Sequence, residues 1–197
     1  MTEKRELARL VRQVQKGDLE SFGQLYDRFY GPVFAYVLHQ VGSPADAEDI
    51  VSGVFLDALQ KIGGFTWRGA GFGAWLFSIA RNDVMDHFRR QGRSREAAIT
   101  EQHMELPSAE RVDHIAEAAW DERRLREAVW QLSEEQQQVV LLKLMVNFSN
   151  SQIAAVLSKS EGAVKALQHR ALENLRKIME PGAEDGTARI DRESAIQ

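Results

Sequence analysis

The sequence contains no cysteine, which excludes disulfides, thiolate zinc sites and thiol nucleophiles and suits a reducing cytoplasm. No apolar run approaches the roughly 20 residues that a membrane-crossing helix needs. Met1 to Arg12 alternate charges with leucines, unlike the unbroken apolar stretch of a signal peptide. Positive charge is not in excess either: 25 Lys and Arg stand against 29 Asp and Glu, a formal net charge of -4. A protein that binds nucleic acid unaided usually carries a basic balance. Any DNA affinity must therefore come from local patches or from a partner. The glycines at Gly63, Gly64 and Gly69 are too scattered for a phosphate cradle, and no nucleophile elbow exists. With 197 residues, 44% of them hydrophobic and 27% charged, the chain suffices for one large or two small packed domains.

Helical periodicity dominates what is present. Leu7, Leu10, Val11 and Val14 share one face, and Gly17 ends that helix. Asp18 is placed to cap the next, whose face is Phe22, Leu25, Tyr26 and Phe29. Gly31-Pro32 is expected to interrupt it before Phe34, Val37, Leu38 and Val41 resume. Ser43-Pro44-Ala45-Asp46 is a start signal, with a capping serine, a proline at the first helical position and a carboxylate able to reach back. The helix that follows, to about Leu59, buries Ile50, Val51, Val54 and Ala58. A glycine-rich aromatic loop from Gly63 to Phe72 then leads into a long helix from about Gly73 to Arg90. Periodicity fades from Gln91 to about Glu117, a stretch longer than a plain connection inside one domain.

After that stretch Leu125, Val129 and Leu132 mark a helix. Ser133 to Gln136 and Ser149 to Gln152 are both capping boxes, and Ser160 caps a last helix to about Met179. The pair of helices around Ser158 has the layout of a helix-turn-helix, with Ala154 as the small contact residue and Val164 as the apolar anchor. Ser158 takes the turn position that glycine usually fills. Val164, Leu167, Ala171 and Leu175 form the buried stripe of the second helix. Lys165, Ala166, His169 and Arg170 are left on its outward face, where a major groove would be met. The bland reading of the same pattern is a helical hairpin with a solvated basic face.

Taken together, the two halves resemble regions two and four of extracytoplasmic-function sigma factors. The resemblance rests on Gly17-Asp18 with Phe22, Leu25-Tyr26-Asp27-Arg28, Asp46 to Val51, Phe55-Leu56, Ala74-Trp75-Leu76 and Ile79 to Asn82. Later come Leu132-Ser133, Ile153-Ala154, Gly162 to Lys165, Arg170 to Leu172, and Leu175-Arg176. It covers about Leu7 to Lys177 with the linker unmatched. The fold it implies is all-α: a region-two helical bundle over 1–92, a flexible linker over 93–118, a region-four helix-turn-helix over 119–179 and a disordered tail over 180–197.

The resemblance also implies partners and sites. Asp46, Glu48, Asp49 and Ser52 would meet core RNA polymerase at its beta-prime clamp, with the beta subunit as a further contact. Ser52-Gly53 stands where the family commonly has a Gln-Glu pair, and acids in a first helical turn also serve the helix dipole. Trp67, Arg68, Arg81, Asn82 and Arg89 would hold a flipped base and the phosphates of the minus-ten element. Arg81 and Asn82 lead that group, since Phe72 and Trp75 suit the core better. Lys165, Ala166, His169 and Arg170 would read the minus-35 element. Promoter DNA and core polymerase are thus the expected partners, and an anti-sigma factor stays open. No cofactor, catalytic site or membrane insertion is expected; Asp83, Asp86 and His87 share one helical turn but lack the further ligands and supporting groups of a metal site. The rival reading is a stand-alone helix-turn-helix regulator that acts without polymerase.

Overall fold

The computed structural model describes residues 3–67, 69–92, 124–125 and 127–179. The expectations for the linker, the tail and Arg68 lie outside them. Every element in the described residues is helical. The order is α1 (Glu3–Val14), α2 (Leu19–Val41), α3 (Pro44–Lys61), a 3-10 turn (Ile62–Gly64), α4 (Gly71–Gln91), α5 (Glu134–Leu144), α6 (Asn150–Leu157) and α7 (Glu161–Met179).

The helix starts follow local chemistry. Asp18 accepts from the Ser21 amide at 3.2 Å, and Ser43 Oγ accepts from the Asp46 amide at 3.3 Å. Each satisfies a donor that a helix N-terminus leaves without an intrahelical partner. Pro44 occupies the first turn of α3, where its missing N–H costs nothing. Gly42 ends α2 in the left-handed region at φ 75°, a conformation that a Cβ would strain.

One expected break is absent: α2 runs continuously through Gly31 and Pro32. Proline removes one backbone hydrogen bond and crowds the carbonyl four residues earlier. Here Gly31 and Pro32 are exposed, so water can take the orphaned carbonyl. Meanwhile Leu25, Val33, Tyr36 and Val37 keep an uninterrupted buried stripe across the site.

Contacts divide the chain into two compact units. The first joins α1–α4 with 141–164. In it α2 packs on α1, α3 and α4, and α3 also packs on α4. Leu25, Val33, Val37, Val51, Val54, Leu76 and Phe77 are at or near complete burial. Tyr36 meets Phe77 edge to face at 5.2 Å, and Phe77 in turn meets Phe148 at 5.1 Å. Helix α6 lies along α4 in this same unit.

The second unit joins the described residues up to 140 with 165–179. Ala128, Val129, Leu132, Val140, Ala171 and Leu175 form its core, with Ile178 and Met179 at the edge. Gln137 Nε2 donates to the carbonyls of Trp130 and Leu132, both at 2.9 Å, tying down a loop end that would otherwise bury bare acceptors. Gln136, expected to reach back in a capping box, instead accepts from Asn174 Nδ2 at 3.1 Å. The other box forms in full: Ser149 Oγ accepts from the Gln152 amide at 3.3 Å, and Gln152 Oε1 accepts from the Ser149 amide at 2.9 Å.

Between α6 and α7 the backbone turns at Ser158, with φ 53° and ψ 41°. The Lys159 amide donates to Ala154 O at 2.9 Å and closes the helix end. Ser160 Oγ then accepts from the Ala163 amide at 3.2 Å and opens α7. A left-handed residue with a side chain stores strain. Ser158→Gly is therefore expected to stabilise the chain by about 0.5 kcal/mol, and Ser158→Val to destabilise it by more than that. Thermal melting checks both, and a lower midpoint for the glycine variant would contradict the turn geometry.

Candidate nucleic-acid interface

Three helix faces carry the residues singled out by the sequence. On α3, Ala47, Ile50, Val51, Val54 and Ala58 are buried, which turns the opposite side outward. Glu48, Asp49 and Ser52 are exposed there, with Asp46 partly so. Asp46 and its neighbours also complement the positive helix end. Ser52 Oγ donates back to the Glu48 carbonyl at 2.8 Å. Nothing lies within 4 Å of a Cβ built at Gly53, so this face is smooth. Sequence reasoning missed Leu56, which sits four residues beyond Ser52 and is 57% exposed. Its signal was its place off the buried stripe. The face is acidic at the N-terminal end and apolar further along.

The second face begins in the loop before α4. Phe72, 1% exposed, belongs to the core. Phe65 packs against it at 5.9 Å and against Trp75 at 5.0 Å. Trp67 and Trp75 are each half-buried, Trp67 lying on the backbone at Gly71, where a Cβ would come within 3.4 Å of its ring. These part-exposed rings are of the kind on which an unpaired base can stack.

Along α4, Trp75, Ser78, Asn82 and Arg89 follow one another at helical spacing, so they share a side. Asn82 and Arg89 are exposed, and Arg89 pairs with Asp86 at 2.8 Å. Arg81 sits on the shoulder toward the core, its Nε buried without a hydrogen-bond partner. An unpaired buried donor costs about 1–3 kcal/mol, a standing demand for an acceptor. Arg81 and Asn82 therefore do not point the same way: one is half inside, the other in solvent.

The third face is on α7. Val164, Leu167, Ala171 and Leu175 are buried, while Lys165, Ala166, His169 and Arg170 are all exposed. Arg170 Nε donates to the Ala166 carbonyl at 3.3 Å, and His169 Nδ1 lies 3.3 Å from Glu173 Oε2. With Ala166 giving a small flat spot between longer polar chains, the arrangement can enter a groove and meet base edges or phosphates. The α3 and α4 faces belong to the first unit, and Lys165 to Arg170 to the second.

The Sigma-70 region 2 family model matches residues 25–94, and the Sigma-70, region 4 model matches residues 122–175. The ECF RNA polymerase sigma factor BldN of Streptomyces coelicolor is 40% identical over 172 residues, which are 86% of this chain and 64% of that protein's length. The ECF RNA polymerase sigma factor SigL of Mycobacterium tuberculosis is 35% identical over 154 residues, covering 77% of this chain and 85% of the relative. Among solved structures, CnrH in complex with the cytosolic domain of CnrY superposes with a TM-score of 0.65 at 25% identity, over 88% of this chain and 97% of that one.

One carboxylate beside these cations is perturbed. Burial first, then the nearby Asp57 and Asp86 carboxylates, push Asp83 up to about 6, against the pull of Lys61 and Arg90. The folded chain therefore holds the Asp83 proton more tightly than the unfolded chain does. Stability falls as pH rises from about 4 through about 6, and the penalty is fully present at neutral pH. Asp83→Asn is expected to stabilise the chain at pH 7.5 by about 1 kcal/mol, discounted for the half of the group that solvent reaches. Melting curves of both proteins should converge below pH 4. An equal offset at every pH would show that Asp83 does not titrate as described.

Proposed function

The chain belongs to the extracytoplasmic-function RNA polymerase sigma factors, and from that premise we propose that it docks on core polymerase through α3 and grips promoter DNA at two places. Sigma factors are non-catalytic regulatory proteins that direct transcription initiation with RNA polymerase at promoters. The docking face is Asp46, Glu48, Asp49 and Ser52, set against basic residues of the beta-prime clamp, with the beta subunit as a further contact. Trp67, Arg68, Arg81, Asn82 and Arg89 take the minus-ten element. Lys165, Ala166, His169 and Arg170 take the minus-35 element.

The observation that carries this reading is the division of each helix. Every described polar residue assigned a role stays at least partly exposed, while each of these helices buries a separate apolar stripe. Arg81, with its unpartnered Nε, is suited to a phosphate or a base carbonyl that arrives only with melted DNA. The acidic total of the chain suits shared binding. Phosphate neutralisation supplies most of the affinity in protein–DNA association, and a chain of net charge -4 supplies little unless a larger enzyme holds the promoter. That dependence favours a sigma factor over a stand-alone regulator.

The remaining assignments follow from the same reading. Residues 1–92 act at the polymerase and the minus-ten element, 93–118 as a linker, 119–179 at the minus-35 element, and 180–197 as a tail. The site of action is the cytoplasm; among the described residues no helix is long and apolar enough to cross a membrane. CnrH is solved in complex with the cytosolic domain of CnrY, and a protein partner of this kind, an anti-sigma factor, is the further partner proposed for this chain.

Run-off transcription with core polymerase on a promoter library tests the reading, and absence of promoter-specific starts overturns it. Arg170→Ala should weaken use of promoters that depend on the upstream element by about 1–2 kcal/mol of binding. Asp49→Lys should instead lower affinity for core polymerase and leave the fold intact. Wild-type transcription from both variants would remove the surface assignments.

A further inference from the structure

We infer that Gln15, in the short link after α1, is a positioning residue of the minus-ten loop: its side-chain amide clamps the Ile62 and Phe65 carbonyls and so sets the aromatic rings beside them. The inference rests on the minus-ten reading above and adds to it a residue that itself touches no DNA. Gln15 Nε2 donates to Ile62 O at 3.0 Å and to Phe65 O at 2.8 Å. A primary amide carries two N–H groups on one nitrogen, which is what two converging acceptors require. A carboxylate of the same shape would offer only acceptors, and a hydroxyl only one hydrogen.

The clamp acts from a fixed platform. Helix α1 ends at Val14, and the chain then turns through successive backbone hydrogen bonds. The Gln15 amide donates to Val11 O at 3.0 Å, and the Lys16 and Asp18 amides donate to Gln13 O at 2.9 and 3.1 Å. Gln13 Oε1 also accepts from Ser21 Oγ at 3.1 Å, which fastens this end of α1 to the start of α2. A side chain can place its neighbour accurately only when its own backbone is held in this way.

The loop has less to hold it. A Cβ added at Gly63 or Gly64 would meet nothing within 4 Å, and two adjacent glycines give an unclamped backbone wide freedom. Its own turn bond runs from the Phe65 amide to Ile62 O at 3.0 Å, so Gln15 reinforces one end of that turn and pins the other. Phe65 then meets Trp75 at 5.0 Å and Trp67 at 6.0 Å between ring centroids. A displaced Phe65 backbone would therefore shift the stacking surface. Asn82 and Arg89 stand on α4 and do not depend on the loop for their place. Gln15 thus governs which base fits, and leaves phosphate contacts from α4 alone.

Gln15 is exposed, so replacing it disturbs little packing, and the full-length chain serves for the test. Gln15→Met keeps the length and removes both donors, whereas Gln15→Lys restores donors on a side chain of similar reach. Circular dichroism melting checks the fold of each. Amide hydrogen exchange over residues 62–67 is expected to quicken about tenfold in Gln15→Met and to stay near native in Gln15→Lys. Run-off transcription with core polymerase, on promoters randomised across the minus-ten element, reads the effect on base choice. Preference at the most selective minus-ten position should fall about fivefold in Gln15→Met and be retained in Gln15→Lys, with minus-35 preference native in both. A native minus-ten preference in folded Gln15→Met overturns the role. Equal loss in the methionine and lysine variants overturns it too, because bulk rather than donation would then be at work. Asn82→Ala separates this role from the reading beneath it. Altered minus-ten preference in that variant, beside a native one in Gln15→Met, removes the role of Gln15 alone, and native preference in both removes the minus-ten reading as well.

Discussion

A helix has one circumference, and what it must bury fixes what it can offer. Helix α7 spends Val164, Leu167, Ala171 and Leu175 on burial, and the 3.6-residue turn leaves Lys165, Ala166, His169 and Arg170 facing out. Helix α3 obeys the same rule with Ala47, Ile50, Val51, Val54 and Ala58 inside and Glu48, Asp49, Ser52 and Leu56 outside. A one-residue shift in either stripe would rotate its functional face by about 100°. Burial is thus the device that aims these side chains, and chemical identity matters only after the aim is set.

Electrostatics then divides labour among the faces. The α3 surface is acidic at its helix N-terminus, where the macrodipole already favours carboxylates, so the fold tolerates a cluster that a cationic partner can use. The α4 region mixes signs: the Asp83 carboxyl, raised to about 6 by burial and by Asp57 and Asp86, also faces Lys61 and Arg90. At neutral pH Asp83 is ionised at the cost described above. The unpartnered Arg81 Nε and the exposed Asn82 and Arg89 add hydrogen-bond donors along the same helix.

Much of this was readable in the sequence because it is local. The caps at Asp18, Ser43, Ser149 and Ser160 act over three residues, and the buried stripes are set by spacing alone. The failures share a different cause. Pro32 forecasts a break unless one knows that its turn faces water. Gln136 has the spacing of a capping box, yet its amide is taken by Asn174, a partner 38 positions away. The approach of Phe148 to Gly73 has no periodic signature, since it joins segments that only the folded chain brings together.

Helix α6 shows why such a long-range contact is physically favoured. At 150–157 it is well under the about 12–15 residues at which an isolated helix becomes marginal in water. Its capping box satisfies the first turn and its left-handed Ser158 closes the last, but neither supplies an apolar driving force. That must come from packing, as the burial of Ile153, Ala154, Val156 and Leu157 shows. A helix this short keeps its shape only while something covers it; α4 packs along it, and Phe148 just before it rests on Gly73 and Phe77 of α4.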